Sequence, residues 1–102
     1  MSHSMILPVT ADAAVSSPFV TAGKTGTLSL IGLVTTEKVA IQVPRVQSPD
    51  ADEDSHWTPL VQDGLPITLD AANNVILVPA NLLVRLVKDA GVAGNAYGVQ
   101  WS

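Results

Sequence analysis

Cysteine is absent from this chain of 102 residues, which excludes a disulfide scaffold and thiolate chemistry. The absence fits a reducing cytoplasm. Aromatic residues are scarce, with two Trp, one Tyr and one Phe, so the core must be aliphatic. Charge is scarce as well. Asp, Glu, Lys and Arg make up 14% of the chain, and five scattered cationic residues face nine acidic ones. Without a basic stripe to neutralise phosphates, nucleic-acid binding is not expected. No apolar run approaches the roughly 20 residues of a membrane-spanning helix, so no membrane partner is expected. The first residues lack a cationic n-region, and their apolar run breaks at Pro8, so no signal peptide is expected.

Catalytic vocabulary is missing too. There is no G-x-S-x-G and no H-E-x-x-H, which removes the nucleophile-elbow and zincin arrangements. Asp12, Glu37, Asp63, Asp70 and Asp89 all fall where turns are predicted, and turn chemistry already explains them. The chain therefore reads as non-enzymatic and cofactor-free. One stretch, Ala22-Gly23-Lys24-Thr25-Gly26-Thr27, imitates the tail of a phosphate-binding loop. Its first glycine should stand at position 18, where the chain has Pro18, which has no N–H and a fixed φ. A helix should follow, yet Thr27, Leu28, Ser29 and Leu30 alternate polar and apolar as a strand does. The stretch reads as a wet turn.

What the chain does have is aliphatic and β-branched. Hydrophobic residues reach 47%, and Val, Ile and Thr favour strands. Predicted strands cover "AAVSSPFVT", broken at Ser16-Ser17-Pro18, then "GTLSLIGLV" and "KVAIQVPRV", whose Pro44 marks an edge or a strand end. They continue through "WTPLVQ", "LPITL" and "VILVP". Asp63-Gly64 is a hairpin turn signal, and Asn73-Asn74 tolerates a left-handed turn. Residues 80–90 fit both periods: Leu82, Leu83, Leu86, Val87 and Ala90 make a helical stripe, whereas Leu82, Val84 and Leu86 make a strand face. The neighbouring strands and the glycine-rich return favour the strand. A last strand places Tyr97, Val99 and Trp101 on one face.

Seven to nine short strands with turns every 8 to 12 residues or so predict one all-β domain, an antiparallel β-sandwich of Ig-like or jelly-roll-like type. It spans residues 11–102, preceded by an extended N-terminal arm at 1–10. Met5, Ile6 and Leu7 form an apolar knot in that arm. Such a knot docks on its own subunit or on a neighbour.

Ligand-type residues concentrate in one place, the polar segment with Asp50, Asp52, Glu53, Asp54 and His56. Oxygen ligands could hold Ca²⁺ there. The segment lacks the EF-hand order, and like-charge runs are ordinarily solvated loops. His3 and His56 without a third ligand make no zinc site, so no metal is assigned. Trp57 opens the strand after the acidic loop. It is either a core residue or a platform that stacks on sugar rings. Trp101 is either core or an inter-subunit anchor.

The run from Trp57-Thr58-Pro59 through Asp63-Gly64, Ile67-Thr68-Leu69 and Asn73-Asn74 to Arg85-Leu86-Val87-Lys88 resembles small structural proteins of tailed bacteriophages, over roughly residues 25 to 102. The resemblance implies a virion component, assembled in the host cytoplasm and sited on the capsid surface. Capsid decoration, or cement, is the first expectation; a head–tail or tail accessory protein is the alternative. It further implies a homo-oligomer, a trimer by preference, bound to the major capsid protein. Met5, Ile6, Leu7, Tyr97 and Trp101 would be the interface residues. A carbohydrate- or receptor-binding β-sandwich module, using Trp57 and the acidic loop, remains a reading from a different class.

Overall fold

Ser16-Ser17-Pro18 breaks a strand in two, and such interruptions shape much of this molecule. The computed structural model of the chain describes residues 4–21, 26–32, 37–91 and 95–101. His3, most of the predicted turn at 22–25, the first residues of the arm and part of the glycine-rich return lie outside the described residues. The strands are β1 Ser4–Thr10, β2 Ala14–Val15, β3 Phe19–Val20, β4 Gly26–Gly32, β5 Val39–Pro44, β6 Trp57–Pro59, β7 Val61–Gln62, β8 Leu65–Pro66, β9 Thr68–Leu69, β10 Val75–Val78, β11 Leu83–Lys88 and β12 Tyr97–Trp101. Among the described residues one 3₁₀ turn, Asp54–His56, precedes β6. Residues 83–88, ambiguous in sequence, are a strand because both neighbours in their sheet bond to them.

Among the described residues all strand pairings are antiparallel. One sheet has the order β1-β12-β4-β10. In the second, β2 and β3 flank one side of β11, β5 lies on its other side, and β6 and β9 both pair with the far edge of β5. Counted once per broken strand, the two sheets pair the first strand with the last (β1 with β12), the second with the second-last (β2/β3 with β11), the third with the third-last (β4 with β10), and the middle two together (β5 with β6). This is one long hairpin rolled into two sheets, the connectivity of a jelly roll.

β6 and β9 are two halves of one edge strand. Residues 57–59 run against 44–42, and residues 68–69 run against 40–39. Opposite Ile41 the chain leaves the sheet and returns. Leu60 N–H donates to the Ile41 carbonyl at 2.8 Å, and Ile67 N–H donates to the Leu60 carbonyl at 2.8 Å. The residues between form the β7–β8 hairpin, closed by Asp63 (φ 55°) and Gly64 (φ 81°). Positive φ at both central positions is the type I′ turn that Asp-Gly favours.

The core lies between the sheets and holds Leu7, Leu28, Val39, Ile41, Leu69, Val78, Val84, Leu86, Tyr97 and Val99. It is aliphatic apart from one tyrosine, as composition requires. The expected N-terminal arm is not separate from this domain. β1 pairs with β12 from Ser4↔Trp101 to Thr10↔Tyr97, and Leu7 enters the core. The close approach depends on Gly98: a Cβ there would sit 2.4 Å from the Leu7 carbonyl oxygen and 2.8 Å from the Pro8 carbonyl carbon. Only hydrogen fits.

Candidate functional site

Val84, Leu86 and Lys88 point from β11 toward the core, so the alternation sends Arg85 to the outer face. Arg85 is nevertheless 1% exposed, because the acidic segment folds over it. Its Nε and Nη2 donate to Gln42 Oε1 at 2.9 and 2.5 Å, and Nη1 donates to the Ala51 carbonyl at 2.9 Å. Nη2 also meets Asp54 Oδ1 at 3.1 Å. The guanidinium carbon lies 5.1 Å from the centre of the Trp57 ring, a cation–π distance. Arginine's planar fork can serve several acceptors at once, and here it clamps the loop to the sheet.

The acidic residues are thus organised around the fold. Asp50 Oδ1 accepts from Asp52 N–H at 3.0 Å, Glu53 Oε1 accepts from the Ser55 hydroxyl at 3.0 Å, and Asp54 faces Arg85. His56 Nδ1 accepts from Asp50 N–H at 3.0 Å. These carboxylates point at different partners. Among the described residues no three His, Asp or Glu side chains gather as a metal site would require. Trp57 is buried, and its indole N–H donates to the Asp50 carbonyl at 2.9 Å. With one ring face under Arg85 and only 4% of the residue exposed, it offers no platform for a sugar.

A second buried cation closes the other end of the core. Lys88 Nζ donates to the Thr10 and Asp12 carbonyls, both at 2.6 Å, and lies 4.4 Å from the Tyr97 ring centre. Burial lowers its pKa, opposed by the nearby Asp12 carboxylate. The Tyr97 hydroxyl donates to the Asp89 carbonyl at 2.6 Å. Burial first, then the Asp89 and Glu37 carboxylates, push its phenol up to about 12. Lys88 ties the end of β1 to the core, and the Tyr97 hydroxyl holds the residue that follows β11.

The five residues expected at an interface divide accordingly. Leu7 and Tyr97 are core, and Ile6 is half-buried against it. Trp101 packs over Gly26, where a Cβ would stand 2.2 Å from the indole, and meets Phe19 edge-on at 5.9 Å. Only Met5 presents substantial surface, at 49% exposure.

Exposed apolar residues also occur on β1, β2 and β3, with Val9, Val15 and Val20 about half exposed, and the two most exposed ones, Leu65 and Leu77, lie on the hairpin and β10. On the hairpin, Val61 and Leu65 are exposed, and on β10 so are Val75 and Leu77. Leu60, Val61, Gln62, Ile67, Leu77 and Pro79 line an open groove of about 300 Å³ between the two elements. Sequence reasoning assigned these residues to strands and missed their exposure. The available signal was faint: "VILV" has no polar residue to mark a solvent face. Arg85 was more legible, since a cation within the apolar "LLVRLVK" demands a buried partner.

Compared with protein-family models, with curated proteins and with solved structures, the chain matches none of them.

Proposed function

We propose that this chain is a non-enzymatic virion structural protein, a capsid decoration protein that binds the assembled head through the major capsid protein. The observation that carries the reading is the apolar hairpin inserted into an edge strand. Val61 and Leu65 stand on the β7–β8 hairpin that interrupts the β6/β9 strand, and they are not part of the core. A sandwich gains nothing for its own stability from exposing them, whereas an apolar peg seated in a partner's pocket is a typical interface anchor. Among the described residues every buried polar side-chain atom has a hydrogen-bond partner. A protein that binds only the assembled shell stabilises it by mass action. Jelly rolls serve both capsid and lectin domains, so the choice between those classes rests on the surface. Here Trp57 is covered and the apolar hairpin is exposed, which favours a protein partner over a sugar.

The test is copy number in purified particles, measured by quantitative mass spectrometry against the major capsid protein. Abundance comparable to that protein supports decoration. A few copies per particle transfers the protein to the neck or tail, and none overturns the virion reading. In the decoration case, Leu65→Asp abolishes binding to expanded heads while the melting temperature stays near wild type.

A further inference from the structure

The two sheets have four edge strands, each with backbone groups free to pair with another chain. Three of these edges are blunted. β1 carries Pro8 and two register shifts. β2 and β3 are two residues each, separated by Ser16-Ser17-Pro18. The β6/β9 edge contains Pro59 and is split by the hairpin. β10 has none of these devices: Val75-Ile76-Leu77-Val78 is continuous, regular and uncharged.

The register fixes which groups face outward. Leu30 N–H donates to the Asn74 carbonyl at 2.9 Å, and the pairs that follow are Val75↔Ser29, Ile76↔Leu28, Leu77↔Thr27 and Val78↔Gly26. Hydrogen-bonded positions alternate along an antiparallel ladder. Asn74, Ile76 and Val78 therefore bond to β4, while the N–H and C=O groups of Val75 and Leu77 point away from the sheet. Among the described residues no strand lies on that side. The same two residues carry side chains that are 56% and 72% exposed.

We propose that this edge pairs with the β10 edge of a second copy of the chain, across a two-fold axis through Ile76. Val75 then lies opposite Leu77 of the partner subunit, and Leu77 opposite Val75 of the partner subunit. Each pair exchanges two N–H···O=C bonds. Two alternative registers are disfavoured. A shift by one residue would oppose inward and outward side chains. Centring the axis on Leu77 would set Val75 against Pro79, which has no N–H to give. The chain is acidic, at −4, yet residues 75–78 are uncharged, so the seam brings no like charges together. The outcome is a continuous sheet across both copies, with two-fold symmetry where the phage resemblance implied a trimer. It holds whether or not the protein binds a shell.

Sedimentation equilibrium of the full chain from about 1 to about 500 µM tests this, since micromolar association is the range expected of a small edge contact. The expected result is a monomer–dimer equilibrium. Val75→Lys combined with Leu77→Lys sets lysine against lysine in both pairs and moves the midpoint roughly tenfold or more to higher concentration. Val75→Glu with Leu77→Lys sets opposite charges together and restores the dimer. Because the chain has no cysteine, a second readout is clean. Narrow pairs place Cα atoms about 5.5 Å apart, within disulfide reach. Val75→Cys with Leu77→Cys therefore cross-links on oxidation, and either single variant does not. A wild type that is monomeric throughout, an oligomer indifferent to the lysine pair, or a double-cysteine chain that fails to cross-link each overturns the proposal.

Discussion

Replacing Arg85 with methionine removes the clamp between the acidic loop and the sheet while keeping a long side chain over Trp57. Two acceptors lose their donors, Gln42 Oε1 and the Ala51 carbonyl. Both acceptors lie on half-buried residues, so water recovers part of the roughly 1–3 kcal/mol that a fully buried unpaired acceptor costs, and the net loss is about 1–3 kcal/mol. A domain of this size has only about 5–15 kcal/mol in total, so the variant is visibly less stable. The control is Asp54→Asn. Asp54 lies 3.1 Å from Arg85 but its side chain is 89% exposed, and exposed pairs contribute within about 1 kcal/mol. Urea unfolding followed by tryptophan fluorescence measures both variants, and native Arg85→Met shows red-shifted emission as the unclamped acidic loop lets water reach Trp57. Added salt leaves the difference between wild type and Arg85→Met nearly intact, because most of the lost bonds go to neutral acceptors. If Arg85→Met costs less than about 0.5 kcal/mol, or Asp54→Asn costs as much as it does, the clamp reasoning is wrong.

Other outcomes follow from the same contacts. Gly98→Ala drives a methyl group into the β1 backbone and costs about 1–3 kcal/mol by overpacking; amide exchange in residues 4–10 should accelerate, and unchanged protection would count against the close approach. Because the Tyr97 phenol is raised to about 12 in the fold from 10.0, its contribution is fully present below pH 10 and is lost as pH rises from there toward 12. Melting curves across that window should fall, and Tyr97→Phe should flatten the fall. Lys88 works in the opposite sense, since a lowered pKa makes stability rise with pH below 10.5. Calcium or simple sugars in millimolar amounts should leave the melting temperature unchanged, because the carboxylates diverge and Trp57 is covered; a clear upward shift would reopen the acidic loop as a ligand site.

Local chemistry carried the sequence reading a long way. Alternation located most strands but not β1, which read as an arm; Asp63-Gly64 signalled a turn, Ser16-Ser17-Pro18 marked the break between β2 and β3, and Pro44 ended β5 where proline must. An aliphatic core followed from four aromatic residues in the whole chain. These features depend on a residue and its near neighbours, so they are written in the order of the letters.

The interface residues were less legible. Met5, Ile6, Leu7, Tyr97 and Trp101 were grouped as apolar residues near the chain ends. β1 and β12 pair, so the two ends face each other within one subunit, and Leu7 and Tyr97 become core. Acidic composition suggested a solvated loop or a ligand site, yet Arg85, some thirty residues further along the chain, makes the loop a lid over its own guanidinium. Exposure of Leu65 and Leu77 was equally hidden, since a strand's pattern states which residues share a face and not whether that face is covered.

By itself, then, the sequence determined an all-β chain with an aliphatic core, its turns and its strand breaks, because backbone propensity and alternation are local. Only the tertiary structure decided the jelly-roll order, the pairing of β1 with β12, and the apolar hairpin and bare β10 edge left at the surface. Those depend on pairings between residues up to 97 positions apart, such as Ser4 with Trp101, and antiparallel ladders are alike in local chemistry whichever strands they join.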